Sequence, residues 1–502
     1  MFKPSSPFLS LLLAAALSAG AAPSAHAVEV KASGVMEILF ESAHNIASAN
    51  RFQDYDDNGS HQKHFSAVQK LKLSLDFVLS ESLSARYTAQ AGAFTWGGPT
   101  SPSYSIGAGN ASEASGGALG SRAANIVTKE AYLDWMIPGT DARVRMGQQF
   151  LMLPGFAFPN PVLGNWGTGV AVSAPATDSL RLNAFWLRAY SDFRRGTVDN
   201  AAPGNDNLDL VSLAANYRID GFQATPWLMA GRLGDAVTNF NQPYNSIYVK
   251  NGLLPVTGYE QFGRAADGHV VSLGLAPSDS TLWFGGLSLE LTRFAPLRLA
   301  LDAYYSASIN AHRSTERSGW FVGGSAEYET PWGVPAFKAW YASGDNGDLT
   351  DGSERALGVR GGFTPGAPVL FNSFAYGLSE TSNRGEAAGT WGASLQWNAA
   401  SFVPRVFHSL RATYVQGTNN PNMARYAVNS GPALYMTRRD HAVELDLDTT
   451  ISIYANLAAM LELSYVFQDF DGEVWRNLPG TTGAGASFSD AWRAGLTFTY
   501  TF

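Results

Sequence analysis

Glu444, Asp446 and Asp448 stand at every second position of the segment HAVELDLDTT. Lys70 and Lys72 have the same spacing in QKLKLSLD, and Arg143 and Arg145 have it in ARVRMG. On a strand a spacing of two puts each set on one face, whereas a helix would scatter it. Charges gathered on the wall of a confined aqueous passage set ion preference, and opposed charges orient polar solutes across it. Arg86 and Arg411 extend the basic set, and Glu130 and Asp134 the acidic one. Arg298, Lys338, Arg493, Asp76, Asp302 and Glu462 fall on the same polar faces. The basic residues of the early strands are expected to form the anion-attracting side.

Other chemistry has little support. No GxSxG, HExxH or Walker loop is present, so the motifs give no reason to expect an enzyme. The chain has no Cys, which excludes disulfides, thiolate metal sites and Cys catalysis. DYDDNGS (54–60) matches the first half of a calcium loop, but the twelfth position is Phe65 where a bidentate Glu is needed. It reads as a solvated outer loop, as does GDNGDLTDGSE (344–354). His44, His61 and His64 match no zinc spacing. No cofactor and no metal is expected. A net charge of -8 gives no footprint for a nucleic-acid partner.

The elements that must position these charges are strands. FSAVQKLKLSLDFVLS opposes Leu71, Leu73, Leu75, Phe77 and Leu79 to Lys70, Lys72, Ser74 and Asp76. The same alternation recurs to the end of the chain, where WRAGLTFTYTF opposes Trp492, Ala494, Leu496, Phe498, Tyr500 and Phe502 to Arg493, Gly495 and three Thr. Segments of ten residues or more with a period of two suit a tilted membrane-crossing strand. Only 15% of the residues are charged while 45% are hydrophobic. Alternation explains this, with one face of each strand toward lipid and the other toward water.

The connections alternate in length. SES (80–82), PGTD (138–141) and TPWG (330–333) are short, whereas 95–124, 233–279 and 344–388 are long. Residues 1–27 read as a secretory signal: Lys3, the apolar run FLSLLLAAALSAG and an Ala25-His26-Ala27 cleavage site. No later stretch is an apolar 20-mer; the best candidate, 451–467, is broken by Asn456 and Glu462. The expected fold is all-β: a transmembrane antiparallel β-barrel over residues 28–502, with both termini at the short-turn end and therefore an even strand number. About 18 strands are expected, with TGVAVSA (168–174) as a short strand. Sixteen remain possible, and 20 if 344–388 hides a hairpin. Trp135, Trp283, Tyr304, Trp332, Trp397, Tyr500 and Phe502 suit the interfacial girdles. The stretch 151–167 is expected to fold inward, offering Phe156, Phe158, Asn160, Asn165 and Trp166 as a constriction loop.

The segments VTKEAYLDWMIPGTDARVRMGQQ and RVRMGQQFLMLPGFAFPNPVLGNWG, with the terminal Phe502, carry a resemblance. The chain resembles the homotrimeric outer-membrane porins of sulfate-reducing (Desulfovibrio-type) bacteria. That resemblance covers essentially all of residues 28–502. It implies a trimer in the bacterial outer membrane with one pore per subunit, in contact with outer-membrane lipid. It also implies passive diffusion of small hydrophilic solutes and ions. Phe502 is the implied assembly signal, read by periplasmic chaperones and the barrel-assembly machinery. The loop lacks the acidic PEFGG-type motif of enteric general porins, so their cation preference does not carry over. A substrate-selective channel of the sugar- or organic-acid type is the alternative.

Overall fold

Alternating side chains can satisfy lipid and water at once only if the sheet closes on itself, because an open edge would leave backbone groups unpaired in hydrocarbon. The computed structural model meets this demand. It describes residues 28–44, 63–97, 126–191, 207–235, 252–371, 386–427, 434–475 and 490–502. The signal segment, the 54–60 motif and His61 lie outside the described residues.

Among the described residues there are twenty strands: β1 (Glu29–His44), β2 (Lys63–Ser80), β3 (Leu83–Thr95), β4 (Ile126–Met136), β5 (Arg143–Met152), β6 (Gly164–Thr177), β7 (Leu180–Ser191), β8 (Asn207–Ile219), β9 (Phe222–Leu233), β10 (Glu260–Arg264), β11 (Val270–Leu275), β12 (Ser280–Leu291), β13 (Leu297–Ile309), β14 (Arg317–Tyr328), β15 (Val334–Ala342), β16 (Thr390–Val403), β17 (Val406–Gly417), β18 (His441–Tyr454), β19 (Leu457–Asp469) and β20 (Ala491–Thr501). Eighteen form one sheet in chain order. Strands β10 and β11 form a separate two-stranded hairpin. The barrel thus has the expected 18 strands; the described part of 344–388 contains no strand, so the 20-strand alternative fails, and β10–β11 form a hairpin outside the barrel sheet, within 233–279.

Closure comes from β1, which pairs antiparallel with both β2 and β20. The last residue takes part: Gly34 N–H donates to Phe502 O at 2.7 Å, and Phe502 N–H donates to Gly34 O at 3.0 Å. A side chain at Gly34 would collide with the Phe502 ring, so the glycine makes room for the terminal aromatic.

The outward face is apolar as expected: Leu71, Leu73, Phe77, Leu133, Leu410, Leu445, Leu463 and Leu496 are all exposed. Trp283, Trp332, Tyr500 and Phe502 are exposed as girdle residues should be. Tyr304 departs from that expectation. It points inward, buried, and stacks on Phe321 with ring centroids 5.4 Å apart.

The inward face is not uniformly polar. In the long-loop half of the barrel, Leu208 and Leu210 on β8, Met229 on β9, Phe284 on β12, Phe321 on β14 and Trp340 on β15 are buried. They pack with loop residues Leu153, Val162, Leu254, Leu357, Val359 and Phe363 in one apolar cluster. Loops that enter the lumen need an apolar wall to bury against, and the rule of lipid-facing apolar residues yields there.

Candidate functional site

Most of the charged residues singled out in the sequence lie on the inward faces of β2–β5 and β17–β20, while Arg298 and Asp302 lie on β13 and Lys338 on β15, where Glu327 pairs with both Arg298 and Lys338. Lys70 lies directly across from Glu37, with Nζ 2.6 Å from the carboxylate. Arg86 lies across from Asp76 and grips it with two hydrogen bonds of 2.6 and 2.8 Å. Glu130 accepts from Thr88 Oγ1 at 3.0 Å. Arg143 and Arg145 both bond Asp134, the latter through Nη2 at 2.7 Å. Arg411 bonds Asp448. Cross-strand neighbours of opposite charge are the natural unit of such a face.

These pairings correct the expected basic wall. The dyad pattern places Lys70, Lys72, Arg86, Arg143 and Arg145 on the lumen side, but the register interleaves them with Glu37, Asp76, Glu130 and Asp134. The result is a lattice of alternating sign. Its local surplus is at Asp134, one carboxylate serving two guanidiniums, and the Arg143 side chain is 50% exposed. On the other flank, Arg411, Asp446, Ser464 and Arg493 form one row across β17–β20. Asp448 and Glu462 sit across from each other in the next row. Here the carboxylates Glu41, Asp446, Asp448 and Glu462 surround Arg411 and Arg493, so the surplus is negative.

The constriction loop folds inward, between shorter limits than expected. It spans 153–163, because β6 begins at Gly164. Asn165 and Trp166 therefore belong to a strand and not to the loop. Trp166 faces outward, 43% exposed, with its ring 5.1 Å from that of Phe150. The Trp166–Gly167–Thr168 stretch already alternates, so its strand character was available in the sequence.

Phe156, Phe158 and Asn160 are in the loop. Asp302, on β13 across the lumen, accepts hydrogen bonds from three successive backbone N–H groups: Phe156 at 2.9 Å, Ala157 at 2.7 Å and Phe158 at 2.9 Å. Arg298 Nη2 donates to Phe156 O at 2.9 Å. The Phe158 ring is buried among Phe321, Trp340 and Phe363. It fits because residue 323 is glycine; a Cβ there would come within 2.6 Å of the ring. Asn160 braces the turn, donating to Pro154 O at 2.6 Å and accepting from Val162 N–H at 2.8 Å.

A second inward loop was not expected. Within 344–371, Val359 and Arg360 donate to Val162 O at 2.8 and 3.0 Å, and Gly362 donates to Asn160 O at 3.1 Å. The two loops thus form one body. The short helix Pro368–Phe371 ends the segment, and Glu444 on β18 accepts from Val369 N–H at 2.7 Å and Leu370 N–H at 2.9 Å. Glu444 is 0% exposed. This corrects its reading as a pore-facing charge: it is a loop anchor. The signal for the second loop was its composition, since Leu357, Val359, Phe363, Val369, Leu370 and Phe371 are too apolar for a loop left in water.

A closed barrel of this kind has counterparts among solved structures. No family model and no curated protein sequence matches the chain. Among solved structures it is similar to OccK9 (OpdG) of Pseudomonas aeruginosa, with a TM-score of 0.52 at 13% identity, over 94% of this chain and 98% of that one. It is also similar to a BenF-like porin from Pseudomonas fluorescens Pf-5, at 0.51 and 9% over the same shares. OpdK of Pseudomonas aeruginosa, solved with vanillate, matches at 0.50 and 11%, again over 94% and 98%. The chain has an outer-membrane porin fold. At these identities the likeness carries the architecture, and the lumen chemistry must be read from this chain's own residues.

Proposed function

We propose that this protein is an outer-membrane porin that passes small hydrophilic solutes and ions by passive diffusion. The observation that carries this reading is the pairing of an apolar exterior with a charged inner face, narrowed by a loop pinned across the lumen at Asp302. Such a body has no use for a charged interior unless water and solutes reach it. Residues 1–27 act as its export signal. The likeness of 143–167 and Phe502 to the porins of sulfate-reducing bacteria supports a homotrimer with one pore per subunit. It also supports assembly through periplasmic chaperones and the barrel-assembly machinery.

Planar-bilayer recording of the purified protein tests the proposal. Stepwise openings in multiples of three are expected. A correctly folded preparation that never conducts overturns the pore, and single-sized openings overturn the trimer.

The selective alternative has one observation in its favour. Arg143 and Arg145 share Asp134, so a half-exposed guanidinium faces the lumen with part of its hydrogen-bonding capacity unused. Guanidinium recognises carboxylate in a two-point geometry. Vanillate, the molecule solved with OpdK, is a suitable probe. Concentration-dependent block of the ion current by vanillate favours a channel for organic acids, and current indifferent to it favours general diffusion.

A further inference from the structure

Asp446 is 4% exposed, and neither of its carboxylate oxygens has a hydrogen-bond partner. Asp448 Oδ1 and the hydroxyl of Ser464 share that condition, in side chains whose residues are 6% and 5% exposed. Buried polar atoms are nearly always satisfied, so several orphans at one place call for a cause. The register shows that these are neighbours. Asp446 and Asp448 stand two positions apart on the inward face of β18, about 7 Å along the strand. Ser464 on β19 lies directly across from Asp446, with about 5 Å expected between the Cβ atoms. Three side chains thus bring four orphan oxygens to one small area of the inner wall. The other oxygen of Asp448 is taken by Arg411, and Glu444, next along the face, accepts from Val369 and Leu370 N–H.

Water by itself does not resolve this arrangement. A water molecule can donate to Asp446 and Asp448, but it brings no charge. Among the described residues, the four buried carboxylates Glu41, Asp446, Asp448 and Glu462 stand with two guanidiniums, Arg411 and Arg493. The excess is two negative charges, and unbalanced buried charge is strongly unfavourable. The donors are all oxygen; the site holds no imidazole, and the chain has no thiolate. Oxygen sets of this kind suit hard cations, and one or two carboxylates completed by water are enough for some of them. We propose that the wall binds one hard divalent metal cation, of the calcium or magnesium class, through Asp446, Asp448 Oδ1 and Ser464 Oγ. Its double positive charge cancels the excess of two. The bound ion ties β18 to β19 and makes this flank of the inner face neutral.

The test uses the folded barrel in detergent and reads binding without current, so its outcome is independent of whether the barrel conducts. Mn²⁺ is the probe, because electron paramagnetic resonance separates bound from free ion; Ca²⁺ and Mg²⁺ are the competitors. Chelator-treated parent protein at neutral pH should bind one Mn²⁺ per chain, released by excess Ca²⁺ or Mg²⁺, and its thermal unfolding midpoint should rise on loading. Asp446→Asn should weaken Mn²⁺ binding by about tenfold or more, since even an outer partner of a metal site costs that much. It should also remove the rise in midpoint. Ser464→Ala leaves every charge in place and should weaken binding as well, so it carries the test if Asp446→Asn does not fold. The outer segment 344–354 gathers Asp345, Asp348 and Asp351, and Asp348→Asn there should bind Mn²⁺ as the parent does. No bound Mn²⁺ in the parent overturns the proposal and assigns the excess charge to protons. Unchanged affinity in Ser464→Ala and Asp446→Asn overturns it too, and loss in Asp348→Asn alone places the ion in the outer segment instead.

Discussion

Arg493 on β20 donates through Nε to Glu41 on β1 at 2.5 Å, and both side chains are almost wholly buried. The pair spans the seam that closes the barrel. Its residues are 452 positions apart, and the register sets each opposite a small neighbour, Ala43 facing Arg493 and Gly495 facing Glu41. Arg493 also lies 3.6 Å from Glu462 on β19, so one guanidinium joins three consecutive strands of the closed sheet. Arg493→Ala would take this guanidinium away from two buried carboxylates, Glu41 and Glu462. A loss of about 3–5 kcal/mol is expected, the range for breaking a buried pair from one side. Denaturant unfolding in detergent micelles measures it; a loss within experimental error would mean that water already reaches the seam.

Arg143 and Arg145 supply the local positive surplus. Replacing both by Ala leaves the Asp134 charge uncompensated on the lumen wall. The reversal potential in a salt gradient should move toward cation preference, and Asp134→Asn should move it the other way. An unmoved potential in both variants would place this cluster off the ion path.

Gly323 makes room for Phe158. Gly323→Val should force the ring out of the Phe321, Trp340 and Phe363 surround, at about 1–3 kcal/mol as for overpacked cores. Thermal unfolding should register the loss. Single-channel records should show noisier openings, because the loop tip keeps its Asp302 bonds but loses its apolar seat.

Glu354 lies in the long-loop segment, and burial pushes its pKa up to about 7, with hydrogen bonding from Asn346 opposing the rise and Asp351 and Asp345 adding to it. A carboxyl whose folded pKa is raised favours the folded loop when protonated. Its contribution is present below the ordinary Glu range near 4.5 and is lost as pH rises through about 7. Hydrogen-exchange protection across 344–356, taken relative to the intrinsic amide rate at each pH, should therefore be greater at pH 5 than at pH 8. Glu354→Gln should remove that difference, since the amide stays neutral throughout. A pH dependence that survives the substitution would assign it to another group.

Much of the molecule was legible before any coordinates. The alternation in 65–80 and 492–502 specified strands, their faces and a membrane environment, because a period of two leaves no other way to separate Leu71 and Leu73 from Lys70 and Lys72. The even strand number followed from the alternation of short and long connections, and the inward turn of the loop after Gln149 was anticipated. What the pattern could not supply was partnership. Periodicity says that Lys70, Arg86 and Arg145 face the lumen; only the register says that Glu37, Asp76 and Asp134 stand opposite them, turning a supposed basic wall into a lattice of both signs.

The two anchors show the same division. Asp302 and Glu444 read from sequence as two more charges on polar faces, like Asp446 and Asp448 next to Glu444 on β18. Tertiary structure made them different, since loop tips 144 and 75 residues away in the chain bring their N–H groups to these carboxylates alone. Local composition determined which faces meet lipid and which meet the lumen where inward residues are polar, as on β2 and β20, and failed where loops bury against an apolar inner wall, as at Tyr304 and Phe321. Closure decided which charges pair, which carboxylates are taken up by backbone N–H groups and which remain for the passage. Those contacts join segments that no local pattern relates.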